Sequence, residues 1–411
     1  MNISIALTFL LGMLLAFLSK KVKLPTLVGM LLTGIILGPY GLNQLTSSLL
    51  GISVDLRQIA LVIILMRAGL ALDISELKRA GRPALLLCFL PACCEMLGVT
   101  LIAPSLLGIS TLEAATIGSI VAAVSPAVIV PKMLRLMKEG YGTQKSIPQF
   151  IMAGGSVDDV FVIVIFTVLT SLLMGKEVSA VSFLHIPISI IVGLLVGILS
   201  GYLIIQFFRK FNMSDTSKVI LLLSVSFILL GLEKEIKDII PMSGLLAIMS
   251  IGIMIYKQDK SLAPKLSSKF SQLWIAAEII LFVLVGADVN IDYALASGLN
   301  AIFVVLGGLV FRMIGVYLCV IGTKLNNKER LFCMIAYTPK ATVQAAIGSL
   351  PLAWGLECGN IALTVAVLAI LITAPLGAFG IEMTYKKLLR NSGEIKLSDT
   401  QKEEEEAFSM N

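Results

Sequence analysis

Charge is scarce in this chain. Only 14% of its 411 residues are Asp, Glu, Lys or Arg, while 57% are hydrophobic. A soluble globular domain carries about 25% charged residues. No polar stretch before residue 391 is long enough to make a soluble domain. Histidine occurs once, at His185, and tryptophan twice. The six cysteines (Cys88, Cys93, Cys94, Cys319, Cys333, Cys358) fall mostly inside apolar runs, without CxxC or metal-ligand spacing. They read as small core residues. No nucleophile–base set and no metal motif is present, so an enzyme is the least supported class and no cofactor is expected. The formal net charge of +6 comes from small basic clusters scattered between apolar runs. That pattern argues against a nucleic-acid partner. The first apolar run lacks a basic n-region and a cleavage site, so it reads as a retained span rather than a signal peptide.

What the chain has in abundance is long apolar runs. About 20 consecutive apolar residues are needed for a helix to cross a ~30 Å hydrocarbon core. The sequence predicts an all-α polytopic membrane protein with thirteen spans, roughly residues 3–19, 25–42, 56–73, 83–107, 112–138, 146–174, 183–208, 217–233, 241–256, 272–289, 299–323, 329–351 and 360–388. The tail from Asn391, ending in KEEEEAFSMN, is predicted to be acidic and disordered. With the N-terminus outside, 25 of the 32 lysines and arginines fall at one set of connections and in the tail. The opposite connections hold four: Arg57, Lys176, Lys234 and Lys237. By the positive-inside rule the C-terminus is then cytoplasmic, and the plasma membrane is the expected location. Three basic residues, Arg67, Arg312 and Lys340, remain inside spans.

The two halves of the chain resemble each other. LPTLVGMLLTGIILG, with Pro25, matches IPMSGLLAIMSIGIM, with Pro241. ILMRAGLALDI, with Gly69, matches LFVLVGADVNI, with Gly286, and AVSPAVIV, with Pro126, matches AYTPKATV, with Pro339. The offsets are nearly constant across three segments and shift the pattern by seven spans. An odd shift inverts one half relative to the other in the membrane. Two six-helix repeats, about 3–174 and 217–388, with a linker helix at about 183–208, account for thirteen. Inverted repeats are the mark of secondary transporters, whose ion sites lie near the midplane at interrupted helices.

The residues that carry chemistry lie at that depth. Asp158 and Asp159, in IPQFIMAGGSVDDVF, are about 12 residues into a span, or ~18 Å at 1.5 Å per residue. A charged aspartate there costs at least ~2.5–3.5 kcal/mol, which marks an adjacent pair as functional. Desolvation disfavours the charged form of a carboxylate, so such a group holds a proton near neutral pH and releases it to an arriving cation. Its oxygens suit small hard cations. Ser125-Pro126 and Thr338-Pro339-Lys340 interrupt two spans at equivalent midplane positions, since proline removes a helix hydrogen bond. The half-helix ends so created carry partial charges. Lys340 is expected beside Asp158 and the negative helix ends. Glu95 and Arg312 lie at similar depth and invite a buried structural pair. Arg67 snorkels or pairs with Asp73. His185 is read as interfacial.

The segments VPKMLRLMKEGYGTQKSIPQFIMAGGSVDDVF and TPKATVQAAIGSLPL, together with LFVLVGADVNI and the midplane Glu95 and Arg312, resemble the NHA branch of the cation:proton antiporter superfamily. The similarity runs from Pro25 to Pro375. The resemblance implies exchange of Na+ or Li+ for H+ by a homodimer in the lipid bilayer. It implies two crossed discontinuous helices in a core that moves like an elevator. It also implies Asp159 as main cation and proton carrier, Asp158 as its partner close to Lys340, and an ion pair between Glu95 and Arg312. A sodium-coupled symporter of organic anions shares the inverted-repeat plan and stays open as the alternative, although it binds sodium without adjacent carboxylates. A channel-like potassium pathway is a third reading.

Overall fold

In a hydrocarbon environment every backbone N–H and C=O must be bonded within the protein, which leaves helices as the natural form for long apolar runs. A computed structural model of the chain describes residues 1–22, 24–72, 74–174, 180–236 and 242–391. The side chains of 74–80, 156, 160, 180–187, 190, 234 and 292–297 are not described. The acidic tail, Pro241, the Asp73 partner proposed for Arg67 and the His185 side chain therefore lie outside the described residues.

Every described element is helical. In chain order these are α1 (Asn2–Lys21), α2 (Thr26–Leu37), α3 (Ser47–Gly51), α4 (Ser53–Ala71), α5 (Ile74–Leu87), α6 (Leu90–Leu107), α7 (Thr111–Val121), α8 (Pro126–Glu139), a 3-10 turn at Thr143–Lys145 and α9 (Ile147–Leu173). The second half holds α10 (Ala180–Lys210), α11 (Asp215–Ile236), α12 (Gly244–Gln258), α13 (Leu262–Ala287), α14 (Ile291–Val320), α15 (Asn327–Ala336), α16 (Thr342–Ile347), α17 (Leu350–Ala353) and α18 (Gly359–Leu388). Each of the thirteen expected segments is occupied by helix. Among the described residues, nine helices are long and apolar enough to cross a membrane, and shorter apolar ones accompany them.

Three segments are interrupted. Two breaks fall where the sequence predicts them, between α7 and α8 and between α15 and α16. The third, in the fourth segment, is not legible as a break in the sequence. Gly81 has φ 73° and Pro83 follows it. Phe89 leaves helical geometry just before α6, whose first turn contains a proline. A proline near an N-terminus costs nothing, because that N–H has no helical acceptor anyway.

The packing follows the offset seen in the sequence. Gly34 on α2 meets the backbone of Gly286 on α13, and Gly69 on α4 meets the backbone of Gly252 on α12. A Cβ at any of these four positions would run into the facing main chain, so only glycine permits the approach. Gly69 and Gly286 are aligned in the two halves; Gly34 meets Gly286 as Gly252 meets Gly69, although the alignment on Pro25 and Pro241 sets Ser250 opposite Gly34. Matching capping boxes start the two broken segments, Ser110 with Glu113 and Asn326 with Glu329. Glu329 also accepts from Lys145 at 2.7 Å and is only 3% exposed, so this lysine ties the 3-10 turn before α9 to α15. Glu95 and Arg312, on α6 and α14, are 217 residues apart. They face each other where two equivalent helices pack.

Candidate functional site

Two broken helices cross at the centre of the bundle. The α7 helix ends at Val121 and α8 begins at Pro126, with Ser125 extended between them. Tyr337 to Ala341 separate α15 from α16. The breaks touch, since the Ser125 N–H donates to the Pro339 carbonyl at 2.8 Å.

Ending a helix at this depth strands its last carbonyls, which no water reaches. Side chains from other helices satisfy them. Gln344 Nε2 donates to the Ile120 carbonyl at 3.1 Å and to the Ala123 carbonyl at 2.9 Å. Lys340 Nζ donates to the Val121 carbonyl, and an Arg312 guanidinium nitrogen to the Ala122 carbonyl. Arg312 Nε also donates to the Tyr337 carbonyl at 2.8 Å, at the end of α15. Arg312 thus lies against the negative ends of both interrupted helices, where a cation is favoured. Its guanidinium also stacks over the Tyr337 ring, 5.5 Å from the centroid.

The same two cations meet two acids. Glu95 Oε2 accepts from an Arg312 nitrogen at 3.0 Å and from Lys340 Nζ at 2.7 Å. Asp158 Oδ2 accepts from the other Arg312 terminal nitrogen at 2.9 Å and from the Val124 N–H at 2.8 Å. All four side chains are essentially inaccessible, at 0–1% exposure. The pairing differs from expectation in one respect. Lys340 stands on Glu95, not on Asp158, and Arg312 holds Asp158. A fork with five donors can serve two carboxylates and two carbonyls at once, which a single ammonium cannot.

Asp159 is treated differently from its neighbour. Among the described residues it makes no ion pair, and its Oδ1 is buried without a hydrogen-bond partner. It lines a cavity of about 20 Å³ together with Leu61 and Leu65 of α4, Ile163 of α9, and Thr342 and Val343 of α16. That volume admits one water-sized body. Other buried oxygens near the crossing also lack partners: Glu95 Oε1, Ser125 Oγ, Asp158 Oδ1, Thr342 Oγ1 and Gln344 Oε1. Of these residues Thr342 lines the same cavity as Asp159, so a carboxylate and a hydroxyl, both hard oxygen donors, share that space. Thr338 turns away from it and donates to the Ile335 carbonyl at 2.9 Å. Pro126 and Pro339 act through the backbone: Pro126 opens α8, and Pro339 lies in the second break, its carbonyl accepting from Ser125.

A second buried charge was hidden in the sequence. Arg57 counts as a loop residue by position, yet it is 2% exposed and contacts Asp288 at 2.6 Å. It also donates to the Ser349 hydroxyl and, through Nε, to the Ser53 carbonyl. This links α4, the end of α13 and the loop between α16 and α17. Arg57→Met should lower the melting temperature in detergent. Asp288 is partly exposed, at 22%, so the cost should fall toward the lower end of the ~3–5 kcal/mol typical for breaking a buried pair. An unchanged melting temperature would show that the contact does not stabilise the fold.

The chain is similar to known proteins along most of its length. The sequence profile of a family described as "Sodium/hydrogen exchanger, transmembrane" matches residues 5–387. The human sodium/hydrogen exchanger 9B2 is 32% identical over 382 residues, covering 89% of this chain and 70% of its own. The Xenopus tropicalis exchanger 9B2 is 34% identical over 356 residues, covering 83% of this chain and 65% of its own. The human exchanger 9B1 is 32% identical over 394 residues, covering 89% and 73% respectively. Among solved structures, the sodium proton antiporter MjNhaP1 from Methanocaldococcus jannaschii matches with a TM-score of 0.82 and 22% identity, over 93% of this chain and 97% of that one. At that identity the likeness shows a shared fold.

Proposed function

This chain belongs to the transmembrane sodium/hydrogen exchanger family of cation/proton antiporters, and we propose that it exchanges sodium or lithium for protons at Asp159. One observation carries the reading. Glu95 and Asp158 are each paired with Arg312 or Lys340, which makes a closed set of two acids and two bases. The charge of Asp159 falls outside that set. An unpaired carboxylate at membrane depth, beside a cavity with aliphatic walls, is expensive, so Asp159 is neutralised either by a proton or by a monovalent cation. The two compete for one group, and that competition is exchange.

The other residues support this carrier. Arg312 and Lys340 neutralise the carbonyl ends of the crossed helices and hold Asp158 and Glu95. Asp158 is Asp159's fixed neighbour, bonded to the Val124 N–H and so part of the break itself. Ser125, with its unpartnered hydroxyl, stands at the same break. The cavity wall formed by Leu61, Leu65 and Ala68 on α4 is aliphatic. Such a wall holds no partner for a charge, and lets a core carrying α7–α9 and α15–α16 slide past it. This favours an elevator-like movement of the core against α4. The basic-residue bias favours an outside N-terminus and a cytoplasmic C-terminus. The family resemblance favours a homodimer.

The test is the pH dependence of cation affinity in proteoliposomes, with no gradient imposed. Below the apparent pKa of the site, apparent sodium affinity should weaken about tenfold per pH unit, since one unit corresponds to ~1.36 kcal/mol. Above it the affinity should level off. Intact transport with a pH-independent sodium affinity would mean that proton and cation do not share Asp159, and would favour sodium-coupled symport.

A further inference from the structure

Many helical threonines in this protein bond their hydroxyls to the carbonyl one turn back. Thr116 donates to Leu112, Thr170 to Phe166 and Thr373 to Ala369. This is the usual resting state of a threonine hydroxyl in an apolar helix. Thr342 does not follow it. The residue four positions back is Thr338, which lies within the break between α15 and α16, so no helical turn precedes Thr342. Thr342 is only 3% exposed, and its Oγ1 has no hydrogen-bond partner among the described residues. A buried hydroxyl left unbonded is destabilising.

The position of that hydroxyl suggests what it bonds. Thr342 and Asp159 line the same cavity, whose other walls, such as Leu61, Leu65, Ile163 and Val343, are aliphatic. A cation entering this space exchanges hydration oxygens for protein oxygens. The carboxylate supplies charge, and the neighbouring hydroxyl is a neutral, hard oxygen ligand with two lone pairs. We propose that Thr342 is a specificity-determining ligand of the transported cation, its Oγ1 replacing one water of the ion's shell beside Asp159. This rests on the reading of Asp159 as the exchange site. Small cations hold their water more tightly than large ones. Loss of one protein oxygen should therefore penalise Li+ and Na+ more than K+, because selectivity depends on the number and field strength of coordinating oxygens.

The full chain reconstituted in proteoliposomes, with Na+, Li+ or K+ as the probe and an internal pH dye as the readout, tests this. Thr342→Val keeps the shape and removes the oxygen. It should raise the apparent KM for Na+ and Li+ about tenfold, the loss of one good contact, while kcat stays within about twofold of wild type. The KM for K+ should change least, so the preference for Na+ over K+ narrows. Thr342→Ser should restore both constants, and Thr342→Ala should repeat the Val result. In detergent without alkali cation, the Val variant should melt no lower than wild type, because no internal hydrogen bond is lost. An exchanging Val variant with unchanged KM and unchanged cation preference would overturn the proposal. So would an equal loss for all three cations that serine does not rescue, accompanied by a lower melting temperature, since that is a packing role. If wild type moves no protons in response to any cation, it is the exchange reading of Asp159 that fails, and the Thr342 assignment falls with it.

Discussion

Asp159→Asn should abolish cation-driven proton movement while leaving the folded protein at least as stable as wild type. The amide has almost the same shape as the carboxylate, yet it cannot take or release a proton and offers no charge to a cation. Exchange depends on both. The stability half of the expectation comes from the structure. Asp159 makes no ion pair and its Oδ1 is unbonded among the described residues, so the substitution breaks no native contact. It removes instead a group whose charged form costs ~2.5–3.5 kcal/mol or more at such depth. Proton flux in everted vesicles and melting in detergent, with and without sodium, check the two halves separately. The variant should also lose any rise in melting temperature that sodium produces in wild type. Exchange at the wild-type rate would remove Asp159 from the carrier role. Loss of exchange together with a collapse in stability would show that the aspartate holds the fold rather than the ion.

The contrast between adjacent aspartates explains how far the sequence could be read. Depth in the bilayer is a count of residues from the start of a span, and a count is legible. Asp158, Asp159, Glu95, Arg312 and Lys340 all fall near the middle by that measure. The two prolines with preceding Ser125 and Thr338 mark breaks because the chemistry of proline is local. Direction around the helix axis is a different quantity. It depends on how helices far apart in sequence pack, and periodicity does not settle it where helices are apolar all round. Depth alone therefore matches Lys340 to Asp158, whereas the packing turns it onto Glu95.

The features that escaped notice share a cause. Arg57 lies close to the start of α4, where a positive charge looks like any loop residue, and only the fold brings Asp288 and Ser349 to it. Thr342 and Gln344 are uncharged, so they carry little of the insertion cost that singles out an aspartate. Their roles come from neighbours: Gln344 bonds carbonyls that exist as acceptors only because α7 stops. The third break, at Gly81 and Phe89, shows the same limit. Glycine and proline are common in membrane helices, so their presence alone does not separate a break from a tolerated residue.

Arg312→Met should be the most destabilising single substitution among the buried charges at the helix crossing. Four acceptors depend on the guanidinium: Glu95 Oε2, Asp158 Oδ2 and the carbonyls of Ala122 and Tyr337. Methionine fills much of the volume but donates to none of them. Removing one partner of a buried pair costs ~3–5 kcal/mol, and here two carboxylates lose a partner together with two helix ends. Glu95 retains Lys340 at 2.7 Å, so Asp158 bears most of the loss, keeping only the Val124 N–H. That asymmetry makes the cycle informative. Arg312→Met combined with Asp158→Asn should recover a substantial part of the stability lost by Arg312→Met alone, because the stranded charge is gone. Combined with Glu95→Gln the recovery should be smaller, since that change strands Lys340 instead. Arg312→Lys should fall between wild type and Arg312→Met, because an ammonium keeps the charge but not the fork that reaches both acids. Melting temperatures of the variants in one detergent decide the matter. Strictly additive losses for Arg312→Met and Asp158→Asn would mean that the two side chains do not act as a pair, and the closed set of charges that isolates Asp159 would lose its basis.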